Sequence, residues 1–331
     1  MYQLSILIVT RNRPSDLERC LHSVFNGRTK NSHGGSSEVI VVDNGSTDQR
    51  VRDVLARFPI DRVIHLPKNY GDWEGRDIGR LQCKGQYILS LDDDAEVVQN
   101  GVWELFRAAQ AFPRAAVIQP RVLEPLRFPG RVLGAQHDPT RPHLIAGFLG
   151  GACLYRSEAL DRAGGFPHFK LGGAEPFLSY RFLDLGYEMI YVPFATIIHW
   201  ASKEERVEWQ RIYFGSAGRI KAVLRNEPRL LRRLAHLAWK PFVAGMFSLR
   251  KRRPLVALIM VPTLFCVAIR EVFSKPLSSV ATCEQLEYLR RVAVFRELPS
   301  SPESALDAQV AVEPEVSGET IDPVRGSAVK P

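Results

Sequence analysis

Short apolar runs alternate with amphipathic segments along the first part of the chain. Four apolar runs of five to seven residues predict buried β-strands, and they cover 4–10, 38–43, 62–66 and 87–91. Between them, apolar residues recur at helical spacing and predict helices over 14–25, 49–58 and 72–83. Strands that alternate with helices predict an α/β fold, with a Rossmann-like, mostly parallel sheet flanked by helices.

The middle of the chain continues this pattern less regularly. Helices are predicted over 103–112 and 175–185, strands over 115–122 and 188–192, and a strand, turn and short helix over 149–166. Residues 126–143 are rich in Pro, Gly and Arg and are predicted to form a loop.

The C-terminal third changes character. Basic helices are predicted over 212–224 and 229–239, and an uncharged apolar run of about 16 residues, interrupted by Pro262, covers 254–269. A membrane-spanning helix needs about 20 residues, so a buried or interfacial helix fits this run better. The segment from Glu297 onward is predicted to be disordered, because it is acidic and rich in Pro, Ser and Ala.

These patterns predict three parts. A first domain covers 1–205 and divides into two halves at about 1–98 and about 99–205. A basic and apolar helical extension covers 206–296, and a disordered tail covers 297–331.

The cysteines and the N-terminus bear on the compartment. Five cysteines are scattered among 331 residues without a CxxC pair, which argues against a disulfide framework and against a thiolate zinc site. The first residues read as a β-strand and not as a signal peptide. Both observations favour a reducing, cytoplasmic location.

The segment YILSLDDDAEVV places three aspartates at the end of the fourth strand. Side chains alternate along a strand, so Asp92 and Asp94 should share one face while Asp93 points the other way. Two carboxylates at the carboxyl end of a parallel strand suit a cation such as Mg²⁺ that also binds phosphate. The alternative is a solvated loop, because charge runs usually lie at the surface.

Polar residues also follow the other three strands. They are the segment TRNR at 10–13, Asp43, and the segment NYGDWEGRDIG at 69–79. Asp43 is a candidate acceptor for a base or ribose, and the donors of Arg76 suit a nucleotide. GxGxxG is absent after the first strand and GxxxxGK[ST] is absent throughout, which argues against a dinucleotide oxidoreductase and a P-loop NTPase.

Together, TRNRPSDLERCLHSVF, EVIVVDNGSTD, NYGDWEGRDIG and LSLDDDAEV resemble the inverting family 2 glycosyltransferases of the GT-A fold, over about residues 3–200. The resemblance implies transfer of a sugar from a nucleoside-diphosphate sugar to an acceptor hydroxyl, with Mn²⁺ or Mg²⁺. It makes 1–205 the GT-A catalytic domain, with the nucleotide-sugar half at about 1–98 and the acceptor half at about 99–205. It assigns Asp94 and His199 to the metal. It assigns the following residues to the nucleotide sugar: Thr10, Asn12, Arg13, Asp43, Arg76, Asp92 and Asp93.

The resemblance also implies a catalytic base. The spacing of AEPFLSYR before Gly186 places Glu175 at the family's base position, while Ala174 and Phe177 stand where the family usually has acids. The alternative reading of Glu175 is an acid stabilised at a helix N-terminus by the helix dipole. Asp93 and Asp184 are the next candidates for the base.

Several neighbouring segments also follow the family, with departures. Gly75 and Asp77 replace the usual Ala and Asn of the third segment. Residues 164–173 resemble the acceptor-side loop, and residues 149–152 resemble the strand that contacts the donor sugar. Trp73 suits either stacking on a base or sugar, or a place in the core.

Three functions are open at this point. The leading hypothesis is a metal-dependent glycosyltransferase in cell-surface glycan or glycolipid assembly. The second is a GT-A-like binding or scaffold protein with impaired catalysis, although the retained aspartate trio argues against it. The third, a nucleotidyltransferase, needs a Gly-rich phosphate loop after the first strand, and TRNRPSD is not one.

The basic residues between Arg219 and Arg253 imply an anionic partner. No nucleic-acid-binding motif is present, so a membrane surface is the preferred partner and nucleic acid is not expected. The alternative is a basic helix packed on the catalytic domain. We therefore expect a peripheral protein on the cytoplasmic face of the cell membrane that acts on a lipid-linked or membrane-proximal glycan acceptor.

Overall fold

The computed structural model describes residues 2–29, 36–202, 208–250 and 254–298. The strands are β1 Leu4–Thr10, β2 Ser37–Asp43, β3 Arg62–His65, β4 Tyr87–Asp92, β5 Ala95–Val97, β6 Ala115–Leu123, β7 Val132–Leu133, β8 His143–Leu144, β9 Ala152–Arg156 and β10 Glu188–His199. The helices are α1 Pro14–Thr29, α2 Gln49–Arg57, α3 Asp72–Arg80, α4 Gly101–Ala111, α5 Ser157–Arg162, α6 Ala174–Asp184, α7 Glu208–Asn226, α8 Leu230–Arg250, α9 Pro254–Val272 and α10 Val280–Arg291.

The central sheet has the strand order β3-β2-β1-β4-β9-β6-β10-β5. Its first four strands are mutually parallel, with Thr10 paired to Asp43, Asp43 to His65, and Val9 to Asp92. The carboxyl ends of these strands therefore meet at one edge, where open α/β sheets bind ligands. Helices cover the sheet, which confirms the predicted α/β class.

The second half of the sheet is mixed. β9 lies between β4 and β6 and runs antiparallel to both, while β6 and β10 are parallel. β10 continues to His199, beyond the predicted end at Val192, because an irregularity between Val192 and Thr196 lets the strand carry on and pair with β5. This pairing sets His199 opposite Ala95, next to the aspartate trio.

The loop predicted over 126–143 contains the short strand β7 and the first residue of β8, and these strands pair with β6 and β10. Two-residue strands lie below the length at which a sequence pattern shows alternation. β5 was missed for the same reason.

The helices after β10 divide between two cores. α7, α8 and α9 share a small apolar cluster that includes Ile220, Ala244 and Leu264. α10, which the sequence did not reveal, instead packs on the main core through Leu286 and Leu289. Residues after α10 then return to the sheet. No helix in the described part of the chain is long and apolar enough to span a membrane.

The predicted disordered tail lies outside the described residues except for its first two positions, 297 and 298. Residues 251–253 of the basic block lie outside the described residues as well.

Candidate active site

The three aspartates separate as strand alternation predicts. β4 ends at Asp92, and a turn over Asp93 and Asp94 leads into β5. The Asp92 N–H donates to the Gly151 carbonyl over 2.7 Å, which ties the end of β4 to the chain before β9. Asp94 is fully buried, whereas about a third of the Asp92 side chain is exposed and reaches into the crevice.

Asp92, Asp94 and His199 offer ligand atoms that all lie within 4.8 Å of one another. His199 Nε2 lies 3.1 Å from an Asp94 carboxylate oxygen and 3.6 Å from an Asp92 carboxylate oxygen. The Ser202 N–H donates to the other Asp94 oxygen over 2.8 Å and holds that carboxylate in place. Strand alternation placed Asp92 and Asp94 together as candidate cation ligands, and the family resemblance placed Asp94 and His199 at a metal; the structure brings all three side chains together.

Glu124 holds the far side of the His199 ring. Its carboxylate lies 2.7 Å from Nδ1, so Nε2 faces the two aspartates. A carboxylate behind a histidine ligand is a common way to orient the ring and make it a better donor. Glu124 was not predicted from the sequence. The signal that points to it is its place directly after β6, which ends at Leu123.

The electrostatics of this group favour a cation. Burial lowers the pKa of His199, but the hydrogen bonds to Asp94 and Glu124 outweigh burial and raise this pKa to about 10. A protonated imidazole balances the charge of the aspartates, and a divalent cation at Nε2 would replace that proton. Two carboxylates and one imidazole with a carboxylate behind it are donors that Mn²⁺ accepts readily, so the residues fit the implied metal.

Asp93 points to the opposite side of the turn. Its carboxylate accepts from Thr10 Oγ1 over 2.9 Å and from Arg13 over 2.9 Å. Burial raises the pKa of Asp93 to about 7, although the charge of Arg13 opposes this change. Thr10, Arg13 and Asp93 therefore lock the ends of β1 and β4 together.

Asn12 and Asp43 shape the nucleotide end of the crevice. Asn12 has a left-handed backbone with φ of 53°, which Asn tolerates better than most residues. Its side-chain oxygen accepts from the Thr47 and Asp48 N–H groups over 2.7 and 3.1 Å, so it fastens the loop after β2. Asp43 accepts from the Ser46 N–H over 2.9 Å and lies 3.0 Å from His65 Nδ1.

Arg76 lies beside Asp92 at the carboxyl edge of the sheet, but the protein encloses it. The side chain is fully buried, and its guanidinium donates to Asp72, Ser90, Leu91 and Asp92. The donors proposed for a nucleotide are therefore directed at protein acceptors. The physical reason is burial, because a charge excluded from water needs paired partners, and here it orients the Asp92 carboxylate.

Trp73 is a core residue and not a free stacking surface. Its side chain is almost fully buried, with its ring centroid 5.7 Å from that of Phe166. Gly150 packs directly on the indole, since a Cβ at position 150 would lie 2.1 Å from a ring carbon.

Gly151 gives a first test of the site. A Cβ at this position would lie 2.2 Å from the Asp92 carboxylate, so Gly151→Ala must displace Asp92. We expect roughly 10²-fold slower transfer, since a 1 Å misplacement in an active site can cost that much. The Mn²⁺ concentration that gives the half-maximal rate should also rise. Gly147→Ala is the matched control, because a Cβ there meets nothing within 4 Å. Equal rates in the two variants would contradict the placement.

Glu175 lies in the first turn of α6, across the crevice. Burial raises the pKa of Glu175 to about 7, and the negative charges of Asp72 and Asp92 act in the same direction. A carboxylate with a pKa near neutrality suits a general base. Ala174 is fully buried and Phe177 packs on Phe169, so the two family acids missing here are replaced by packing residues.

Asp184, the reserve candidate for the base, lies at the other end of α6. Its carboxylate accepts from Thr282 and from the Ser279 N–H, and so fixes the start of α10. It lies nine positions beyond Glu175 in the same helix, which corresponds to about 13 Å along the axis. Asp184 therefore has no place in the crevice.

The loop before α6 is held from two sides. On one side, the Asp77 carboxylate accepts from the Phe166 N–H over 2.9 Å. On the other side, Gly218 of α7 lies directly against the backbone of the loop. A Cβ on Gly218 would lie 2.2 Å from the Gly172 carbonyl oxygen, and one on Gly173 would lie 2.3 Å from Gly218. The helix of the extension thus supports the loop that leads to Glu175.

A sheet with four parallel strands, an Asp-His cluster at their carboxyl edge and a carboxylate across the crevice is the arrangement of the GT-A glycosyltransferase fold. Two solved structures share this fold. The mannosyltransferase PcManGT from Pyrobaculum calidifontis, in complex with GDP-Man and Mn²⁺, superimposes with a TM-score of 0.53 at 17% identity and covers 87% of this chain and 79% of its own. GalNAc-T7 with UDP, GalNAc and Mn²⁺ gives a TM-score of 0.54 at 18% identity and covers 68% of this chain and 48% of its own.

Residues 5–164, just under half of the chain, match the family model described as Glycosyl transferase family 2. A pre-mycofactocin glycosyltransferase of Mycobacterium tuberculosis is 25% identical over 254 residues, or 71% of this chain. The match spans about half of that relative, 52% of its length. An N-acetylglucosaminyl-diphospho-decaprenol L-rhamnosyltransferase of the same organism is 25% identical over 59% of this chain and 75% of its own length.

Proposed function

We propose that this glycosyltransferase moves a sugar from a nucleoside-diphosphate sugar to an acceptor hydroxyl with inversion, in the presence of Mn²⁺ or Mg²⁺. The observation that carries the proposal is the cluster of Asp92, Asp94 and His199 with Glu175 across the same crevice. The Mn²⁺ and nucleotides named for PcManGT and GalNAc-T7 support the metal and the donor class.

In this proposal each residue has a distinct task. Asp92, Asp94 and His199 would hold the cation, which supplies positive charge to the departing diphosphate. Asp43 would accept hydrogen bonds from the base or ribose. Glu175 would take the proton of the acceptor hydroxyl as that oxygen attacks the anomeric carbon from the side opposite the diphosphate. Attack along that line inverts the anomeric carbon without a covalent intermediate.

The roles of the remaining predicted residues follow from their contacts. Thr10, Arg13 and Asp93 would fix the ends of two strands beneath the donor, and Asn12 would fasten the adjoining loop. Arg76 would act on the donor only through Asp92.

We also propose that the acceptor is a lipid-linked or membrane-proximal glycan and that the protein works as a peripheral protein at the inner face of the cell membrane. The decaprenol-linked substrate in the name of the rhamnosyltransferase relative supports the lipid-linked acceptor. The product would enter cell-surface glycan or glycolipid assembly.

A donor-binding protein without catalysis is the second candidate. Ala174 and Phe177, at positions where acids are expected from the family resemblance, are the observation in its favour. The same experiment separates the two functions, because only an enzyme consumes the donor.

The test is a thermal-shift screen of UDP-, GDP- and dTDP-sugars with Mn²⁺, followed by assay of released nucleoside diphosphate. The correct donor should stabilise the folded protein by about 2.7 kcal/mol at a hundred times its Kd. Slow release of diphosphate, through hydrolysis of the bound donor, should follow. Binding without release, including in the presence of acceptor lipids, would favour the binding protein. No stabilisation by any nucleotide sugar would contradict both.

A further inference from the structure

α9 is apolar on both of its sides. One side packs inward, through Ala257, Met260, Leu264 and Ala268. The opposite side carries Leu258, Pro262, Phe265 and Ile269, and all four are exposed. A helix that is apolar all round belongs in a fully buried environment, so the exposed side needs a covering partner.

α8 presents a second exposed apolar stripe. Six of its exposed apolar residues recur at intervals of three and four, which places these six on one face of the helix. They are Leu231, Ala235, Trp239, Phe242, Met246 and Leu249. We call the α8 and α9 stripes together the outer face.

The two stripes lie on the same side of the helical layer. α8 and α9 pack on each other, with Gly245 of α8 so close to Val261 of α9 that a Cβ would lie 2.5 Å from its side chain. Both bury their other sides toward α7 in one cluster. Leu231 is 82% exposed and Leu258 is 72% exposed, far more than a folded protein normally leaves large apolar side chains.

The charge around the outer face selects the partner. From 228 to 270 the sequence contains nine Lys and Arg residues and no Asp or Glu. Arg229 and Arg232 pair with Glu287 of α10 and Arg233 is buried, so within the described residues the cations left to the outer face are Lys240, Arg250 and Arg270. In a symmetric dimer the same surface would meet itself, and cations would face cations. An apolar surface flanked by cations instead complements an anionic bilayer, whose headgroups attract each nearby Lys or Arg.

We propose that the outer face docks on an anionic phospholipid bilayer and lies in its interface without spanning it. This inference rests on the membrane location proposed above and identifies the surface responsible for it. Such helices typically bury their apolar side about 5–10 Å below the headgroups.

The same geometry places the active site near the membrane. α8 and α9 cover α7, and the glycines of α7 touch the backbone of Gly172 and Gly173, just before Glu175. Packed helices lie about 8–10 Å apart, so roughly one helix layer separates the outer face from the loop that leads to the base. An acceptor anchored in the bilayer would then reach Glu175 from the membrane surface.

The test compares two double variants of the full chain in vesicle flotation. Leu231→Glu with Leu258→Glu alters the outer face. Leu81→Glu with Leu126→Glu makes the same change at leucines that are 64% and 73% exposed on the catalytic part. With phosphatidylglycerol-containing vesicles, wild type and the second variant should float, and the first should lose about tenfold or more of its bound fraction. High salt, or phosphatidylcholine alone, should weaken wild-type binding.

Equal flotation of the two variants would overturn the proposal. It would also fail if wild type ignored vesicles and sedimented as a dimer that only the outer-face variant dissociates, because a second copy would then be the partner. Donor hydrolysis without acceptor should be unchanged in both variants. Loss of hydrolysis in all three proteins would count against the proposed function alone and leave the flotation result standing.

Discussion

Asp94→Ala should abolish sugar transfer and the cation-dependent part of donor binding. Asp94 is 1% exposed, and its carboxylate stands between Ser202 and His199, so no neighbouring side chain can take its place. Losing the charge that holds the cation removes stabilisation of the leaving diphosphate. Removal of a single stabilising donor in other enzymes costs roughly 10²–10³ in rate, and we expect at least that.

The measurements are turnover over a Mn²⁺ series and donor affinity with and without the cation. Asp94→Asn should behave like the alanine variant while keeping an acceptor for the Ser202 N–H, which separates charge from structure. Asp53→Ala, on the exposed surface of α2, is the control and should be silent. Near-normal turnover of Asp94→Ala would show that the aspartate trio is not a cation site.

Glu175→Gln should reduce turnover by roughly 10²–10⁴, the usual contribution of a general base, with little change in donor affinity. Glutamine keeps the shape of the side chain but cannot accept the proton of the acceptor hydroxyl. Asp184→Asn, at the other end of the same helix, should keep its turnover number. An unchanged rate in Glu175→Gln would move the base elsewhere, with Asp93→Asn as the next variant to test.

The pH profile gives the same residue a second readout. The pKa of Glu175 is raised to about 7 by burial, so kcat/KM should fall as the pH falls through about 7 and level off above it. The sign for stability is opposite. Folding favours the protonated carboxyl, so stability falls as the pH rises from the ordinary pKa of 4.5 to about 7, and it levels off above that pH. Glu175→Gln should therefore be at least as stable as wild type above that pH, which excludes unfolding as the cause of a slow rate.

The parallel half of the fold was predictable because each strand is a continuous buried run. β1 was predicted at its observed bounds, and β2 within one residue. The antiparallel insertion of β9 was not predictable, since a buried strand has the same pattern in either direction. α10 was missed because its start depends on the Ser279 cap and the tertiary contact with Asp184, not on a strong apolar stripe.

The candidate site was also predictable only in part. The opposed directions of Asp92 and Asp93 followed from strand alternation, and the His199 position followed from the family resemblance. What the sequence could not show is which donors are already used. In the sequence, Arg76 has the features of a ligand-binding residue. In the folded chain its guanidinium already donates to Asp72, Ser90 and Asp92. Glu124 reads as a loop acid, yet β10 brings His199 to it across 75 positions of sequence.

The strand pairing near residue 295 has a consequence for synthesis of the chain. The Leu144 N–H donates to the Val294 carbonyl over 2.9 Å, and the Arg296 N–H donates to the Pro142 carbonyl over 3.0 Å. The parallel strands β1 to β4 are complete within the first 92 residues and can assemble early on the ribosome. The β8 edge, in contrast, must wait for residue 296 to emerge. During that interval the nascent chain exposes the unpaired β8 edge and the α8–α9 surface. A nearby membrane or chaperone could therefore bind those helices before the chain has finished folding.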